Sequence, residues 1–474
     1  MSAIHLRCDE AVARTSPEER DCNPREGRAI LAVTILGSAM TFIDGSVVNI
    51  VLPELRRALH ASPPQAQWVV EAYMLFLASL LLVGGALGDR WGRRRVFVLG
   101  TVIFAAASAA CGLAGNAWTL IVSRGIQGIG AALLVPGSLA LISSNFSRER
   151  RGRAIGTWAS VTSIAAGAGP VVGAWLVELL SWRWIFFINL PAATAIVLIA
   201  RWRVPESEVR RASGSVDWPG AVLATAGLLT LVLGLTEAGT RGFGDPLVFG
   251  CLVAGPASLA AFLRIEATRQ SPMVPLAVFR SPTFSGVNLL TLFLYAGLSA
   301  IMFVLPFNLI DVRHFSLVQA SSALLPFVLV MFTVSRWAGG LLDRYGARLP
   351  LTVGPTMAAV GFALFASLRA PDYVSGVLPA VMVLSLGMGI TVAPLTATVM
   401  SSAGEENAGV ASGINNAVSR VATLISVACV GLVVSDGRFG TGLPRVAWMA
   451  AGLAVIGALC AATFVERKGG TRPA

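Results

Sequence analysis

Charged residues are scarce in this chain of 474 residues. Asp, Glu, Lys and Arg make up 13% of the sequence, whereas 55% is hydrophobic and the mean hydropathy is +0.74. A soluble domain of this size carries about twice that share of charge. The composition therefore excludes an ordinary soluble domain and predicts a membrane protein.

Lysine is nearly absent, because Lys468 is the only one and Gly469 follows it near the C-terminus. A P-loop needs G-x-x-x-x-G-K-[ST], whose lysine reaches the nucleotide phosphates. We therefore expect no ATP-driven transport by this chain. The net charge is +11, but the arginines lie in short segments between apolar runs and form no continuous patch. This distribution argues against nucleic acid as a partner.

Histidine and cysteine are also few. None of the three histidines, His5, His60 and His314, lies in the middle of a long apolar run, so a histidine proton relay is not expected. The six cysteines have no spacing typical of a metal site or a disulfide framework. No nucleophile–base pair stands at a recognisable spacing. The sequence therefore predicts a protein without a cofactor or metal that is not an enzyme.

Long apolar runs dominate what is present. A helix of about 20 apolar residues is needed to cross the hydrocarbon core. Because lipid offers no hydrogen-bond partners, the backbone N–H and C=O groups of each crossing segment must bond to one another, so each run predicts a helix. Fourteen runs, spans 1 to 14, meet this condition: 29–52, 66–88, 95–114, 118–146, 152–180, 183–203, 217–237, 246–264, 284–310, 317–342, 348–368, 374–400, 408–434 and 444–465. The sequence predicts an all-α, multi-pass protein of the lipid bilayer.

The basic residues indicate an orientation. If the N-terminus is cytoplasmic, the inner loops and the C-terminal tail carry twenty arginines and lysines and the outer loops carry eight. Cytoplasmic loops are the ones enriched in positive charge. We therefore expect a protein of the plasma membrane with both termini in the cytoplasm.

A repeated turn divides the chain. Gly85–Gly92 and Gly339–Gly346 share the pattern G-x-x-x-D-R-x-G, follow spans 2 and 10, and lie 254 residues apart. Two related six-helix halves around an inserted pair are an architecture of transporters, with the substrate cavity between the halves. The predicted divisions are a tail 1–28, a half 29–203, an inserted helix pair with loops 204–283, a half 284–465 and a tail 466–474.

Several motifs occur in a characteristic order. Span 1 contains Asp44-Gly-Ser-Val-Val-Asn49-Ile-Val-Leu-Pro53, and the Gly85–Arg95 turn follows span 2. Span 4 contains Arg124-Gly-Ile-Gln127-Gly128, span 5 contains Gly169-Pro170 and Gly173, and Trp182–Pro191 enters span 6. With these motifs the chain, from about residue 29 to 465, resembles the fourteen-span drug:proton antiporter branch of the major facilitator superfamily.

The resemblance implies a proton gradient as energy source and a small amphipathic drug or metabolite as substrate, exported by alternating access. Since fold alone does not decide direction, a proton-coupled importer of a small metabolite stays open as an alternative. The antiporter-like Gly169-Pro170 segment favours export, although Ala165 and Ala174 stand where that motif has glycine. A membrane-embedded enzyme or sensor is disfavoured, because catalytic constellations are missing.

Three charged residues within the spans are candidates for proton coupling. With a rise of 1.5 Å per residue, Asp44, Glu71 and Arg124 lie about 12, 7 and 9 Å below the outer helix ends. Acids at membrane depth are usually functional, and we expect the two carboxylates to share the one guanidinium. The alternatives are a helix-packing hydrogen bond for Asp44, an interfacial side chain for Glu71 and a structural pair for Arg124.

Other candidates are assigned by position or by the resemblance. Gln127, Asn415, Asn416 and Arg420 are candidate cavity residues, although Arg420 is as well suited to satisfying helix-end carbonyls. The resemblance implies a cytoplasmic latch that contacts the start of span 13 near Asn407 and Ala408, with the alternative that its turns only set topology. The latch residues are Gly85, Asp89, Arg90, Gly92, Arg93, Asp343 and Arg344.

Span 5 is the candidate hinge. Pro170 lacks an N–H and should kink the helix, and Gly169-x-x-x-Gly173 offers a smooth face for close packing. With Gly156 these residues are expected to form a helix-packing hinge between the two halves. Ordinary helix packing is the alternative.

Overall fold

The computed structural model describes residues 24–146, 148–206, 217–269, 274–367, 372–403, 408–434 and 437–466. Over these ranges the regular secondary structure is helical. Within these ranges, thirteen helices are long and apolar enough to cross a membrane. A fourteenth span consists of Pro63–Leu81 and Val83–Trp91, which meet at a 52° bend. The prediction of an all-α protein with fourteen spans is therefore confirmed.

The helix bounds agree with the apolar runs to within a few residues. In chain order the spans are Pro24–Ala58, Pro63–Trp91, Arg93–Gly112, Ala117–Asn145, Arg148–Leu179, Trp184–Phe187 with Asn189–Arg203, Trp218–Arg241, Pro246–Thr268, Pro282–Phe307, Leu317–Ser322 with Leu325–Tyr345, Arg348–Ser367, Leu378–Ser402, Ala408–Val433 and Leu443–Phe464. A π-helical turn, Asn308–Val312, extends span 9, and a short helix, Tyr373–Gly376, precedes span 12.

Span 1 is longer than predicted at both ends. Its helix begins at Pro24, inside the predicted tail, and continues through Pro53 to Ala58. Arg56 and Arg57 therefore lie in its last turn and not in a loop. Basic side chains there complement the negative end of the helix dipole, which favours the extra turn.

Local sequence explains where the helices begin and end. Ser62 and Gln65 form a capping box ahead of span 2, and Asn116 caps span 4 by accepting from the Thr119 N–H. Spans 2 and 10 both end before a glycine with positive φ, Gly92 at 101° and Gly346 at 74°. Such φ values favour glycine, so the repeated sequence pattern corresponds to a repeated backbone turn.

The helix ends define two faces. We call "basic face" the face at which the even-numbered spans end, with Trp91, Asn145, Arg203, Thr268, Tyr345, Ser402 and Phe464. The "far face" is the opposite one, at which the odd-numbered spans end, with Ala58, Gly112, Leu179, Arg241, Val312, Ser367 and Val433.

The inserted helices of spans 7 and 8 pack against each other, and span 7 also contacts span 2 of the first half and span 13 of the second. Span 8 is mostly exposed, with Leu247, Phe249, Val253 and Leu263 on its surface. The inserted pair therefore lies beside the junction of the two halves. The predicted tail beyond residue 466 lies outside the described residues, as does most of the N-terminal one.

Hydrogen bonds join the two halves near the far face. Arg56 donates to the Gly437 carbonyl at 3.1 Å, and Arg57 donates to Asp311 at 2.8 Å. The Val318 N–H donates to Glu178 at 2.9 Å, which ties the short helix of span 10 to span 5. The far face is thus the closed end of the junction.

Candidate functional site

An ion pair lies at the centre of the first half. Arg124 of span 4 donates from Nη1 to Asp44 Oδ2 of span 1, and both side chains are 1% exposed. A buried charge is tolerated when it is paired and its remaining hydrogen-bonding groups are satisfied. The pairing predicted between Asp44 and Arg124 is therefore present in the structure.

Amide side chains complete the coordination of the carboxylate. Gln127 Nε2 donates to Asp44 Oδ1 at 2.9 Å, and Asn189 Nδ2 of span 6 donates to the same oxygen at 3.3 Å. Both amides also donate to Ser108 Oγ of span 3, at 3.3 and 2.9 Å. Ser108 in turn donates to the Phe186 carbonyl at 2.9 Å. Four spans therefore meet in one buried polar network.

Arg124 has further contacts that fix its position. Its Nε donates to the Val69 carbonyl of span 2 at 3.1 Å, and Nη1 also donates to Gln127 Oε1 at 2.8 Å. The guanidinium carbon lies 4.2 Å from the centre of the Tyr73 ring, in cation–π geometry. The network therefore extends to span 2, which forms part of the junction between the halves.

Glycines let these helices approach closely enough for the network to form. A Cβ at Gly84 would lie 2.0 Å from the Ala132 carbonyl oxygen, and one at Gly128 would lie 2.4 Å from that of Tyr73. These contacts hold spans 2 and 4 together by their backbones. Gly85, the glycine of the repeated turn, does not have this role, because a Cβ there would have ordinary contact with Pro136 at 3.8 Å.

Glu71 does not share the guanidinium, contrary to the sequence expectation. Its carboxylate is fully buried and accepts hydrogen bonds from the Thr236 hydroxyl of span 7, at 3.2 Å to Oε2 and 3.5 Å to Oε1. Because Glu71 and Tyr73 lie on different faces of span 2, only Tyr73 faces Arg124. Nor is Glu71 an interfacial side chain in contact with water.

The candidate cavity residues fall into three environments. Gln127 is fully buried in the Asp44 network. Asn415 donates to Asn288 Oδ1 and Thr291 Oγ1 of span 9, at 3.1 and 2.8 Å, and exposed Asn416 donates to the Ser412 carbonyl of its own helix. Arg420 of span 13 is partly buried, and its buried Nε has no hydrogen-bond partner among the described residues.

The latch contacts that the structure describes each lie within one half of the protein. Asp89 accepts from Arg93 Nε and Nη2 at 3.0 and 2.8 Å, and Arg90 is exposed. The Arg344 guanidinium lies 5.3 Å from the Tyr345 ring centre. The side chain of Asp343, that of Ala408 and residues 404–407 lie outside the described part. The proposed contact with span 13 therefore stays a prediction.

The expected hinge face contacts a different neighbour. A Cβ at Gly169 would lie 3.1 Å from Ile43, and one at Gly173 would lie 2.4 Å from Val47, both on span 1 of the same half. Gly167 faces the other half instead, because a Cβ there would lie 2.5 Å from Val328 of span 10. Pro170 lies inside the span 5 helix, and a Cβ at Gly156 would meet nothing within 4 Å.

Sequence reasoning missed several polar partners. Asn189 belongs to the motif that enters span 6, but its contact with Asp44 depends on span 6 packing beside span 1. Ser108 and Thr236 carried no signal, because hydroxyl groups are common in membrane helices. Glu206 was also missed. Its carboxylate accepts from the Arg94 backbone N–H at 3.0 Å and lies beside Gly92, so it holds the repeated turn against the end of span 6.

The motif Trp182-Arg183-Trp184 has a structural role at the far face. Arg183 Nη1 donates to the carbonyls of Gly112 and Ala114, at 2.9 and 2.8 Å, and its guanidinium lies 4.4 Å from the Trp182 ring centre. The motif thereby ties the connection of spans 5 and 6 to the end of span 3. This tie holds Asn189 at the depth of Asp44.

Known proteins are similar to this chain in sequence and in fold. A family model described as Major Facilitator Superfamily matches residues 34–427. The chain is 33% identical over 429 residues to a tetracenomycin C resistance and export protein of Streptomyces glaucescens, covering 90% of this chain and 79% of that one. It is 34% identical to a cephamycin export protein of Amycolatopsis lactamdurans, covering 88% of each.

A solved structure has the same fold. It is a bacterial homologue of the human lysosomal transporter Spinster in an inward-facing, unoccupied conformation, with a TM-score of 0.68 and 16% identity, covering 94% of this chain and 98% of that one. The family model, the relatives and the fourteen spans agree. This chain is a multi-pass membrane transporter, not an enzyme, and belongs to the major facilitator superfamily.

Proposed function

We propose that this protein exports amphipathic drugs or metabolites across the cell membrane in exchange for protons, by alternating access between its two halves. Relatives that match most of the chain are named for resistance to, or export of, antibiotics such as tetracenomycin C and cephamycin. The same names disfavour the importer alternative. The proton gradient is the energy source in this proposal, without ATP.

In the proposed orientation the basic face is cytoplasmic and the far face is external. The excess of arginine on the basic face supports this orientation. Because the halves are joined near the far face, the described conformation would open its substrate site towards the cytoplasm. That is the state in which an exporter takes up its substrate.

The observation that carries the proposal is the buried Asp44–Arg124 pair in its amide network. A proton on Asp44 removes the charge that holds Arg124, while Gln127 and Asn189 can still hydrogen-bond to the neutral acid. Protonation thus changes how span 1 is tied to spans 4 and 6, because it leaves the buried Arg124 guanidinium without its counter-charge. A proton can drive transport only if it stabilises one conformation more than the other, and this pair provides such a difference.

Arg420 bears on the class of substrate. A guanidinium at the junction whose Nε has no partner in the described residues favours a ligand with an acceptor or anionic group and disfavours a cation. The proposed substrate is therefore an amphipathic molecule that carries carbonyl, phenolate or carboxylate oxygens. Asn416, exposed nearby on span 13, is a second donor for such a group.

The test is an efflux screen in a host that lacks its own exporters. Acidic and neutral amphipathic antibiotics would be compared with lipophilic cations, and cells with wild-type protein would be compared with cells carrying Asp44→Asn. We expect wild-type protein to lower accumulation of the acceptor-bearing compounds, and a protonophore to abolish the effect. Uptake stimulated by the protein, or efflux that persists without a proton gradient, would contradict the proposal.

A further inference from the structure

Glu71 lies in a buried site that the Asp44 network does not include. Its side chain is fully buried in the membrane-spanning part of span 2, and its hydrogen-bond donor is the Thr236 hydroxyl of the inserted span 7. No basic side chain of the described residues pairs with it. A desolvated carboxylate without a counter-charge is costly, so this environment suits a carboxyl group that takes up a proton.

A cavity lies between this site and the far face. It has a volume of about 190 Å³ and lies where spans 2, 7 and 13 meet. Pro63, Pro64, Thr240 and Gly437 line its far-face part, and Gln67 and Thr236 line it next to Glu71. Thr236 therefore belongs both to the cavity wall and to the hydrogen bond with the carboxylate. One helical turn separates Gln67 from Glu71 on span 2.

Apolar side chains close the other side of the site. Leu75 of span 2, Leu228 and Val232 of span 7, and Leu424 and Ala428 of span 13 form one buried cluster, in which each residue is at most 5% exposed. Leu75 lies one turn beyond Glu71 on span 2, and Leu228 and Val232 lie beyond Thr236 on span 7, in both cases towards the basic face. Glu71 thus has the Thr236 hydroxyl and the cavity on one side and an apolar cluster on the other.

Few titratable groups of the described segments surround the Glu71 carboxyl. Cys429 of span 13 lies within electrostatic reach of it. On span 7, Glu237 accepts from Arg241 at 2.8 Å near the helix end, one residue beyond Thr236. These neighbours bring no positive charge into direct contact with Glu71.

We propose that Glu71 is a second proton-binding site, separate from Asp44, which exchanges protons with the far side of the membrane through the cavity between spans 2, 7 and 13. This inference rests on the proposed proton-coupled function and gives the inserted helix pair a part in it. The carboxylate takes a proton from hydronium in the cavity, leaving water. The Thr236 hydroxyl then changes from donating to the carboxylate to accepting from the acid, or turns away.

The two proton sites would load in different conformations. In the described state the Asp44 pair is sealed by its network, whereas Glu71 is hydrogen-bonded to Thr236, which lines a cavity at the far face. Movement of span 2 against span 13 changes the walls of that cavity, since Gln67, which lines it, donates from Nε2 to the Val427 carbonyl of span 13 at 2.7 Å. Protonation of Glu71 therefore acts on the same junction that alternating access must break.

Infrared difference spectroscopy on the purified full-length protein tests proton binding without a substrate. Spectra taken as the pH is stepped would follow the carbonyl stretch of protonated carboxyl groups. We expect a band from a buried acid that Glu71→Gln abolishes and Asp44→Asn retains. Thr236→Val should shift both the frequency and the midpoint of the band, because it removes the hydrogen bond and keeps the volume. A titrating band unchanged in Glu71→Gln would overturn the proposal.

Cysteine labelling tests the direction of access. Thr240→Cys, at the cavity, and Thr225→Cys, nearer the basic end of the same helix, form a matched pair. A membrane-impermeant thiol reagent added to intact cells should label Thr240→Cys above the level of the parent protein and leave Thr225→Cys at that level. Equal labelling of both, or of neither, would contradict access from the far face.

These outcomes separate the inference from the proposed function. If Asp44→Asn leaves efflux intact while Glu71→Gln removes the band, Asp44 is not the carrier but the second site stands. If Asp44→Asn abolishes proton-driven efflux and the band persists in Glu71→Gln, the exporter proposal stands and the second site is wrong.

Discussion

The Arg124 guanidinium meets the Asp44 carboxylate in the interior of the first half, although 80 residues separate the two in sequence. Asp44 stands in span 1 and Arg124 in span 4, and neither has access to solvent in this conformation. Because the pair and its partners belong to spans 1, 3, 4 and 6, the charge state of Asp44 affects the contacts among four helices. Changes to this network, or to the helix packing that supports it, should therefore alter both stability and transport.

The first prediction concerns Asn189, whose amide links Asp44 to Ser108. Asn189→Leu keeps a similar volume and removes a buried donor, leaving two acceptors less well satisfied. We expect it to lower the free energy of unfolding by about 1–3 kcal/mol, the usual cost of an unsatisfied buried group. Thermal unfolding of purified protein in detergent would measure the change.

Asn145→Leu is the matched control for that variant. Asn145 lies near the basic face and donates to the Leu141 carbonyl of its own helix, a bond that water can replace. We expect little change in its melting temperature. Equal destabilisation by the two substitutions would show that the Asn189 hydrogen bonds in the network contribute no more to stability than the hydrogen bond of Asn145.

The second prediction concerns the close packing of spans 2 and 4. Gly84→Ala places a methyl group 2.0 Å from the Ala132 carbonyl oxygen, so the helices must separate. Overpacking of this kind costs about 1–3 kcal/mol. We expect lower thermal stability and weaker transport, since Gly84 lies on the same helix pair as Tyr73 and Arg124.

Gly340→Ala tests whether the effect is one of packing. Gly340 lies in a helix, and a Cβ there would meet nothing within 4 Å. Alanine favours helix by about 1 kcal/mol relative to glycine, so this variant should be neutral or slightly stabilised. Gly84→Ala protein that melts as high as Gly340→Ala protein would refute the packing argument.

Much of the fold could be predicted because its signals are local. Twenty-residue apolar runs, Ser62 and Asn116 as caps, and Gly92 and Gly346 as turn glycines each fix a helix or its end through nearby residues. The pairing of Asp44 with Arg124 could also be expected, since an isolated charge at that depth is too costly. The extension of span 1 to Ala58 could not be predicted, because a proline such as Pro53 usually ends a helix. The stabilising effect of Arg56 on the negative end of the helix dipole was not considered.

Contacts between distant helices were less predictable. The estimate from helix rise placed Glu71 and Arg124 at the same depth in the membrane, which is correct. It contained no information on which side of span 2 the Glu71 side chain faces, so the contact with Thr236 was missed. Gly169 and Gly173 were expected between the halves for the same reason, whereas they pack against Ile43 and Val47. A small-residue face shows that something packs closely, and only the tertiary structure shows what.

The third prediction concerns the turn after span 2. Asp89 pairs with Arg93 in the described state, and in the proposed cycle it would contact the start of span 13 when the basic face closes. Asp89→Asn should lower the transport rate while the protein still inserts and unfolds at its normal temperature, since an exposed pair contributes at most about 1 kcal/mol. Efflux rate per inserted protein is the measurement, and full activity would leave the turn with a topological role alone.

The fourth prediction concerns orientation. A reporter active only outside the cytoplasm, fused after residue 240, should be active, and one fused after residue 212 should be inactive. This follows from the excess of arginine on the basic face. The opposite pattern at both positions would invert the proposed orientation and, with it, the access route to Glu71.

The central prediction concerns Asp44, which carries the coupled proton in the proposed cycle. Asp44→Asn keeps the size of the side chain and one acceptor oxygen but cannot titrate, so we expect it to abolish uphill export while substrate exchange down a gradient continues. Because the loss of a buried partner for Arg124 also costs stability, about 3–5 kcal/mol, its control is Asp217→Asn. Asp217 is likewise buried and paired, with Arg269 at the basic end of span 7, outside the network.

The most direct measurement is proton movement evoked by substrate in proteoliposomes, with a substrate identified in the efflux screen and an imposed pH gradient. Wild-type and Asp217→Asn proteins should concentrate the substrate and move protons in the opposite direction. Asp44→Asn protein, reconstituted in equal folded amount, should do neither and still exchange labelled substrate. If Asp44→Asn protein concentrates substrate against its gradient, another group carries the coupled proton and the role proposed for Asp44 is wrong.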